Sequence, residues 1–311
     1  MSRGPRRKGS HAGSDGYLSG TITAVHGRSY RVEMEAPLAQ LTCFPRGKRS
    51  ELACGDRVRI EPVSADQGVI QSVEPRSSLF YRADAFREKL IAANVTQVMV
   101  VLASEPTYYE ELLNRCLVAA EHARVRAVVV LNKAELPSAP AAIERLELYR
   151  HLGYSVVPLS ARSSTDALQP FLQDHTTVLV GQSGMGKSTI VNGLFPAARA
   201  ATGDISKALD SGRHTTTHAT LYRLPSNGAI IDSPGLQAFG LRHVGIEALD
   251  AAFPEFRPYI GLCRFANCRH LAEPGCAIVA GRLDEKIDVR RLDAYRSIAK
   301  EIMQMIANAE P

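Results

Sequence analysis

Eight consecutive residues, Gly181 to Ser188 (GQSGMGKS), match the pattern G-x-x-x-x-G-K-[ST]. The glycines let successive backbone N–H groups turn inward and cradle phosphate oxygens. Gly181, Gln182, Ser183, Gly184, Met185, Gly186 and the following Thr189 are therefore expected at a nucleotide. Lys187 places a point charge on the β and γ phosphates. Ser188 offers a hydroxyl to Mg²⁺, and the N-terminus of the following helix adds partial positive charge. The flanks agree: the apolar strand TTVLV precedes the loop and a helix, STIVNGLF, follows it. With pattern and flanks both satisfied, a mere glycine-rich turn is set aside.

A phosphate loop serves ATPases, small-molecule kinases and GTPases alike, so the base must be assigned elsewhere. Asp232-Ser233-Pro234-Gly235 ends an apolar strand. There Asp232 would reach Mg²⁺ through water, and Gly235 would give a flexible N–H to the γ-phosphate. Asn132-Lys133-Ala134-Glu135 follows the run RAVVVL and resembles the guanine-reading N-K-x-D. In that motif a carboxylate accepts from N1–H and the exocyclic amine, a donor pair adenine lacks. Ser160-Ala161, after SVVPL, resembles the loop whose N–H meets the guanine carbonyl. The carboxylate here is Glu135, one methylene longer than Asp, so its geometry must shift. The order is also unusual: the base-reading pair precedes the phosphate loop, as if a GTPase sheet had been joined at its ends and reopened.

A second constellation lies further on. Cys263, Cys268, His270 and Cys276 form C-x₄-C-x-H-x₅-C. Three thiolates and an imidazole make a closed tetrahedral set, suited to one structural zinc and leaving no open catalytic position. Cys43, Cys54 and Cys116 are scattered and read as core residues.

The elements that must position these residues follow from the hydrophobic pattern. Thr96 to Ala103 and Arg126 to Leu131 are near-continuous apolar runs, as in strands buried on both faces. Glu110 to His122 and Ala141 to Leu152 have helical periodicity, and Val156 to Leu159 and Thr177 to Val180 read as further strands. Ala219 to Leu224 turns at Asn227-Gly228 and returns through Ile231 as a hairpin. Alternation of this kind implies a largely parallel sheet with helices on its faces. A helical stretch is expected from Leu283 to Ala307. Before this, Tyr17 to Glu74 holds short alternating stretches at Gly20 to His26, Ser29 to Glu35, Asp56 to Pro62 and Gly68 to Val73. Their spacing suggests a barrel of about five strands, the size of an OB-fold. Arg28, Arg31, Arg46, Lys48, Arg49, Arg57 and Arg59 would supply a basic face for RNA. Met1 to Gly16 is a basic arm with nothing to bury.

Composition sets the outer bounds. The chain has 311 residues, enough for several domains, and no apolar run of the ~20 residues a membrane helix needs. No apolar segment follows the basic arm, which argues against a signal peptide and for a cytoplasmic protein. A formal charge of +5 favours an anionic partner. The expected division is 1–16 disordered arm, 17–76 OB-fold RNA-binding domain, 81–240 circularly permuted α/β GTPase domain and 241–311 helical zinc-binding domain.

The permuted motif order, the barrel before it and the Cys/His cluster after it together resemble the ribosome small subunit-dependent GTPase family RsgA. The resemblance spans roughly Tyr17 to Ala307 and includes Gly212 to Thr217 (GRHTTT). It implies a bacterial, cytoplasmic GTP hydrolase; a monomer with no membrane partner is expected. Such a protein acts late in maturation of the small ribosomal subunit, which stimulates it, and binds that subunit and its rRNA. It further implies that GRHTTT is switch I, with Thr215 or Thr216 as a Mg²⁺ ligand. A water-orienting Gln usually follows D-x-x-G; Leu236 stands there, and Gln237 comes one residue too late. His214 is then the expected water-positioning residue, beside Lys187 and Asp232 as catalytic groups. Two other readings stand beside this one. One is a zinc-containing RNA-binding protein with phosphate-loop ATPase or kinase activity. The other is an RNA-binding module whose nucleotide only stabilises the fold.

Overall fold

The structure, a computed structural model, describes residues 16–35, 39–47, 51–83, 88–195, 219–233, 239–241 and 243–309. Lys48, Arg49, His214, Thr215, Thr216, Gly235, Leu236 and Gln237, singled out above, lie outside them.

Five strands open the chain: β1 (Leu18–His26), β2 (Ser29–Met34), β3 (Gln40–Pro45), β4 (Arg57–Pro62) and β5 (Gln67–Val73). Buried and exposed positions alternate along β2, β3 and β4, the period-two pattern of strands with one face on a core. Ile22, Val32, Cys43, Val58, Ile60 and Ile70 fill that core. The strands run in the order β1-β2-β3-β5-β4, and β4 returns to β1, which closes the barrel. Only the β3–β5 pair is parallel. This is the OB-fold barrel, with β3 as the strand that the sequence pattern had not resolved.

Two further strands, β6 (Leu79–Ala83) and β7 (Glu88–Ala93), make a separate hairpin not anticipated from the sequence. It bridges the barrel to the rest. Ala93 N–H donates to the Cys54 carbonyl at 2.9 Å, and Phe80 packs on Phe239 with ring centroids 4.8 Å apart.

The α/β layer follows: β8 (Gln97–Ala103), α1 (Glu110–His122), β9 (Arg126–Asn132), α2 (Ala139–His151), β10 (Ser155–Leu159), α3 (Gln169–Leu172), β11 (Thr176–Val180), α4 (Lys187–Leu194), β12 (Thr220–Arg223) and β13 (Ala229–Asp232). Strand order is β10-β9-β8-β11-β13-β12, parallel except for the β12–β13 hairpin. Every residue of β8 is buried, as its unbroken apolar run requires. At roughly 1.5–3 kcal/mol per fully buried aliphatic side chain, this strand and β9 are major contributors to stability. A single pair, Ala24 with Thr220, joins the barrel to β12.

The last part is helical: α5 (Ile246–Ala251), α6 (Ala277–Leu283) and α7 (Val289–Ala309). The helical stretch expected from Leu283 to Ala307 therefore starts only at Val289, after a break that follows α6. Glu285 takes a left-handed φ of 58°, and Ile287 turns inward to 2% exposure. Asp288 Oδ1 then accepts from Arg290 N–H at 2.8 Å and starts α7 afresh. Arg291 anchors this helix on the α/β layer. Fully buried, it donates to Glu255 Oε1 and Asn114 Oδ1, both at 2.6 Å, and lies 4.4 Å above the Phe253 ring.

Candidate functional site

The phosphate loop runs from the end of β11 into α4. Two of its glycines are required by contact as well as conformation. Gly181 has φ 152°, and a Cβ there would sit 2.2 Å from the Val101 carbonyl oxygen. Gly186 has φ 91°, and its Cβ would meet Asn132 Nδ2 at 2.2 Å. Backbone thus packs directly on β8 and β9, and no L side chain fits between them.

Asn132 joins the loops that the sequence separates. It lies at the end of β9, 3% exposed. Its Nδ2 donates to the Met185 carbonyl at 2.9 Å, and its Oδ1 accepts from the Ala161 N–H at 3.0 Å. One side chain therefore ties the Asn132-Lys133 turn and Ser160-Ala161 to the phosphate loop. Lys133, with φ 60°, donates from Nζ to the Glu105 carbonyl at 2.6 Å. Ser138 Oγ donates to Glu105 Oε1, also at 2.6 Å. Glu135 is exposed, and the Ser160 hydroxyl holds its carboxyl below the usual carboxylate range, helped by its own backbone N–H.

Lys187 Nζ rests on two carbonyls of its own loop, Gly181 at 2.5 Å and Gln182 at 2.8 Å. Burial pushes its ammonium below the usual lysine range, against the pull of Asp232. Asp232 ends β13, beside Leu179 of β11, and burial pushes its carboxyl above the usual range against the pull of Lys187. Opposite charges are thus desolvated near one another, the arrangement expected where a triphosphate and a cation bind. Ser183 and Ser188 are exposed at the mouth of the loop, and Met185 is fully buried beneath it.

The Cys/His cluster also assembles. The Sγ atoms of Cys263, Cys268 and Cys276 and a ring nitrogen of His270 all lie within 4.8 Å of one another. Cys263 and Cys276 Sγ are 4.0 Å apart. Two ligands on a tetrahedron with Zn–S bonds of ~2.3 Å would be ~3.8 Å apart, so the donor set fits that metal. His270 turns Nδ1 to the thiols, 3.3 Å from Cys276 Sγ, and Nε2 to Asp250 Oδ2 at 3.2 Å. The Tyr295 hydroxyl donates to the other oxygen of Asp250 at 2.7 Å. A carboxylate behind a ligating histidine fixes its tautomer and orientation. Neither Asp250 nor Tyr295 stood out in the sequence, because α5 and α7 approach the cluster only on folding. Cys43, Cys54 and Cys116 are fully buried. Burial pushes the Cys43 thiol up to about 11 and the Cys116 thiol up to about 12, which leaves them inert.

On the barrel, Arg57 and Arg59 point outward from β4, alternating with buried Val58 and Ile60. Arg28, Arg31 and Arg46 are exposed as well. Among the described residues, no helix is long and apolar enough to cross a membrane.

Residues 73–242 match the RsgA GTPase family model. The Small ribosomal subunit biogenesis GTPase RsgA of Nitrosospira multiformis is 54% identical over 283 residues, 90% of each chain. The chain belongs to the RsgA GTPase family. As a member it is a GTP-hydrolysing enzyme. Two solved structures are similar over most of their length. YjeQ from Thermotoga maritima has a TM-score of 0.71 and 26% identity, covering 92% of this chain and 99% of its own. YloQ, described as a circularly permuted GTPase, has a TM-score of 0.70 and 25% identity, covering 96% and 99%. The sheet order found here, with the phosphate-loop strand β11 between β8 and β13, is that permuted fold.

Proposed function

We infer that this protein hydrolyses GTP on the small ribosomal subunit late in its maturation and leaves the subunit after hydrolysis. The observation that carries the reading is Asn132, whose two hydrogen bonds gather the base-reading and phosphate-binding loops at one end of the sheet. The name of the Nitrosospira relative supplies the partner. In this reading the chain works as a cytoplasmic monomer in four parts: the basic arm 1–16, the RNA-binding barrel 17–76, the GTPase domain 81–240 and the zinc-binding domain 241–311.

Glu135 and the backbone at Ser160-Ala161 read guanine. Gly181 to Thr189 and Gly235 hold the phosphates, and Lys187 neutralises charge as it develops on them. Ser188, Asp232 and either Thr215 or Thr216 form an oxygen donor set for Mg²⁺, which when bound neutralises phosphate charge. That set suits the raised Asp232 carboxyl, since a cation offsets the cost of ionising it where it is buried. His214 positions the attacking water, because Leu236 offers no hydrogen bond. Cys263, Cys268, His270 and Cys276 hold one structural zinc.

Phosphate release from GTP and from ATP, with and without purified small subunits, tests this reading. GTP is expected to be preferred, and subunits are expected to raise its turnover. Lys187→Ala should lose at least about a hundredfold under both conditions, the scale of losing a principal charge-stabilising group. His214→Ala should still bind GTP and the subunit yet lose most of the stimulated rate. A preference for ATP would remove the base assignment, and absence of stimulation would remove the ribosome as activating partner.

A further inference from the structure

Gln182, the second residue of the phosphate loop, is held at both ends. Its carbonyl accepts from Lys187 Nζ at 2.8 Å. Its side-chain Oε1 accepts from the Tyr109 N–H at 2.7 Å, at the start of α1. The first N–H groups of a helix have no partner within it, and α1 has no side-chain cap of its own. Gln182 supplies the missing acceptor from 73 residues away.

The C-terminal helix grips the same end of α1 from another side. Arg290 NH1 donates to Glu110 Oε1 at 3.3 Å, and Arg291 NH1 to Asn114 Oδ1 at 2.6 Å. The Tyr149 hydroxyl of α2 lies 3.0 Å from both acceptors. Glu110 and Asn114 are four residues apart and share one face of α1.

We propose that Gln182 is a positioning residue for Lys187, and that the first turn of α1 conveys the seating of α7 to the phosphate loop. The proposal rests on the GTPase reading above. One of the two carbonyls on which the Lys187 ammonium rests belongs to a residue whose side chain is fastened to α1; the other belongs to Gly181, its neighbour in the chain. Any shift of that turn therefore moves the place from which Lys187 meets phosphate. Displacements of about an ångström at such a group are enough to slow the reaction.

The test is GTP turnover by the full chain, with kcat and KM separated and thermal unfolding followed on the same samples. Gln182→Met keeps the length of the side chain and removes the acceptor; Gln182→Glu keeps an acceptor. The Met variant is expected to lower kcat about fivefold, the worth of one ordinary hydrogen bond, while the unfolding midpoint falls by no more than a few degrees. The Glu variant is expected to recover most of that loss. Arg290→Met should also lower kcat, and the double variant Gln182→Met/Arg290→Met should be no slower than the slower single variant, as for residues in one network. Wild-type kcat in Gln182→Met, or equal losses in the Met and Glu variants, would overturn the positioning role. Additive losses in the double variant would overturn the link through α1. Absence of GTP turnover in the wild type would instead remove the functional reading, and this proposal with it.

Discussion

Glu135 is one methylene longer than the aspartate of the N-K-x-D pattern it resembles. The Ser160 hydroxyl holds its carboxyl below the usual carboxylate range. Hydrogen bonds to a charged group are worth about 1.5–3 kcal/mol, so removing the carboxylate should be visible in base preference. Glu135→Ala is expected to cut the GTP:ATP affinity ratio by about tenfold or more. Glu135→Asp is expected to tighten guanine binding. Calorimetric titration with both nucleotides measures each, and an unchanged ratio in the Ala variant would show that Glu135 does not read the base.

Strands β9 and β11 place their C-terminal ends side by side on either side of β8, so the loops leaving them touch. The contact is intimate: Gly186 gives Asn132 the space its amide needs. Gly186→Ala would combine a strained positive φ with a Cβ driven into Asn132. The amide must then leave either Met185 or Ala161, and the two loops lose their common register. GTP affinity is expected to fall by at least about tenfold, the cost of one buried polar group left unpaired. Equilibrium binding reads this, with circular dichroism to show that the sheet persists. Wild-type affinity in the variant would mean that the Asn132 bridge is dispensable.

Across the whole molecule, the barrel has its own core, while the core of the α/β layer continues into the helical part, where polar contacts add to it. The Cys/His cluster reaches α5 through Asp250 and α7 through Tyr295, while Arg291 fixes α7 on α1 and Phe253. A metal in the cluster therefore stabilises the packing of the whole helical part. Structural zinc contributes roughly 10 kcal/mol or more in small peptide sites. Freshly purified protein is expected to hold one zinc per chain by elemental analysis. Chelation should produce an earlier, separate unfolding transition in scanning calorimetry. Asp250→Ala should weaken zinc binding by about 10- to 100-fold, the usual effect of removing such a supporting carboxylate. Folded, metal-free protein with an unchanged calorimetric profile would sink the zinc assignment.

The sequence by itself determined the chemistry and its order along the chain. Phosphate loop, base-reading tetrapeptide and Cys/His spacing are each written within a few residues, and the buried strands announce themselves by unbroken apolar runs. It also carried the barrel, though not β3 (QLTCFP). The hairpin β6–β7 and the break between α6 and α7 escaped because their cause is tertiary: Phe80 has Phe239 to pack on, and Ile287 has a core to enter. Arg291 reads as a surface residue by type, and only folding brings Glu255, Asn114 and Phe253 around it. The same holds for Asn132, whose partners Met185 and Ala161 lie 53 and 29 residues away. Periodicity and motif act over a few residues. A hydrogen bond across dozens of residues exists only when the sheet has set both ends in place.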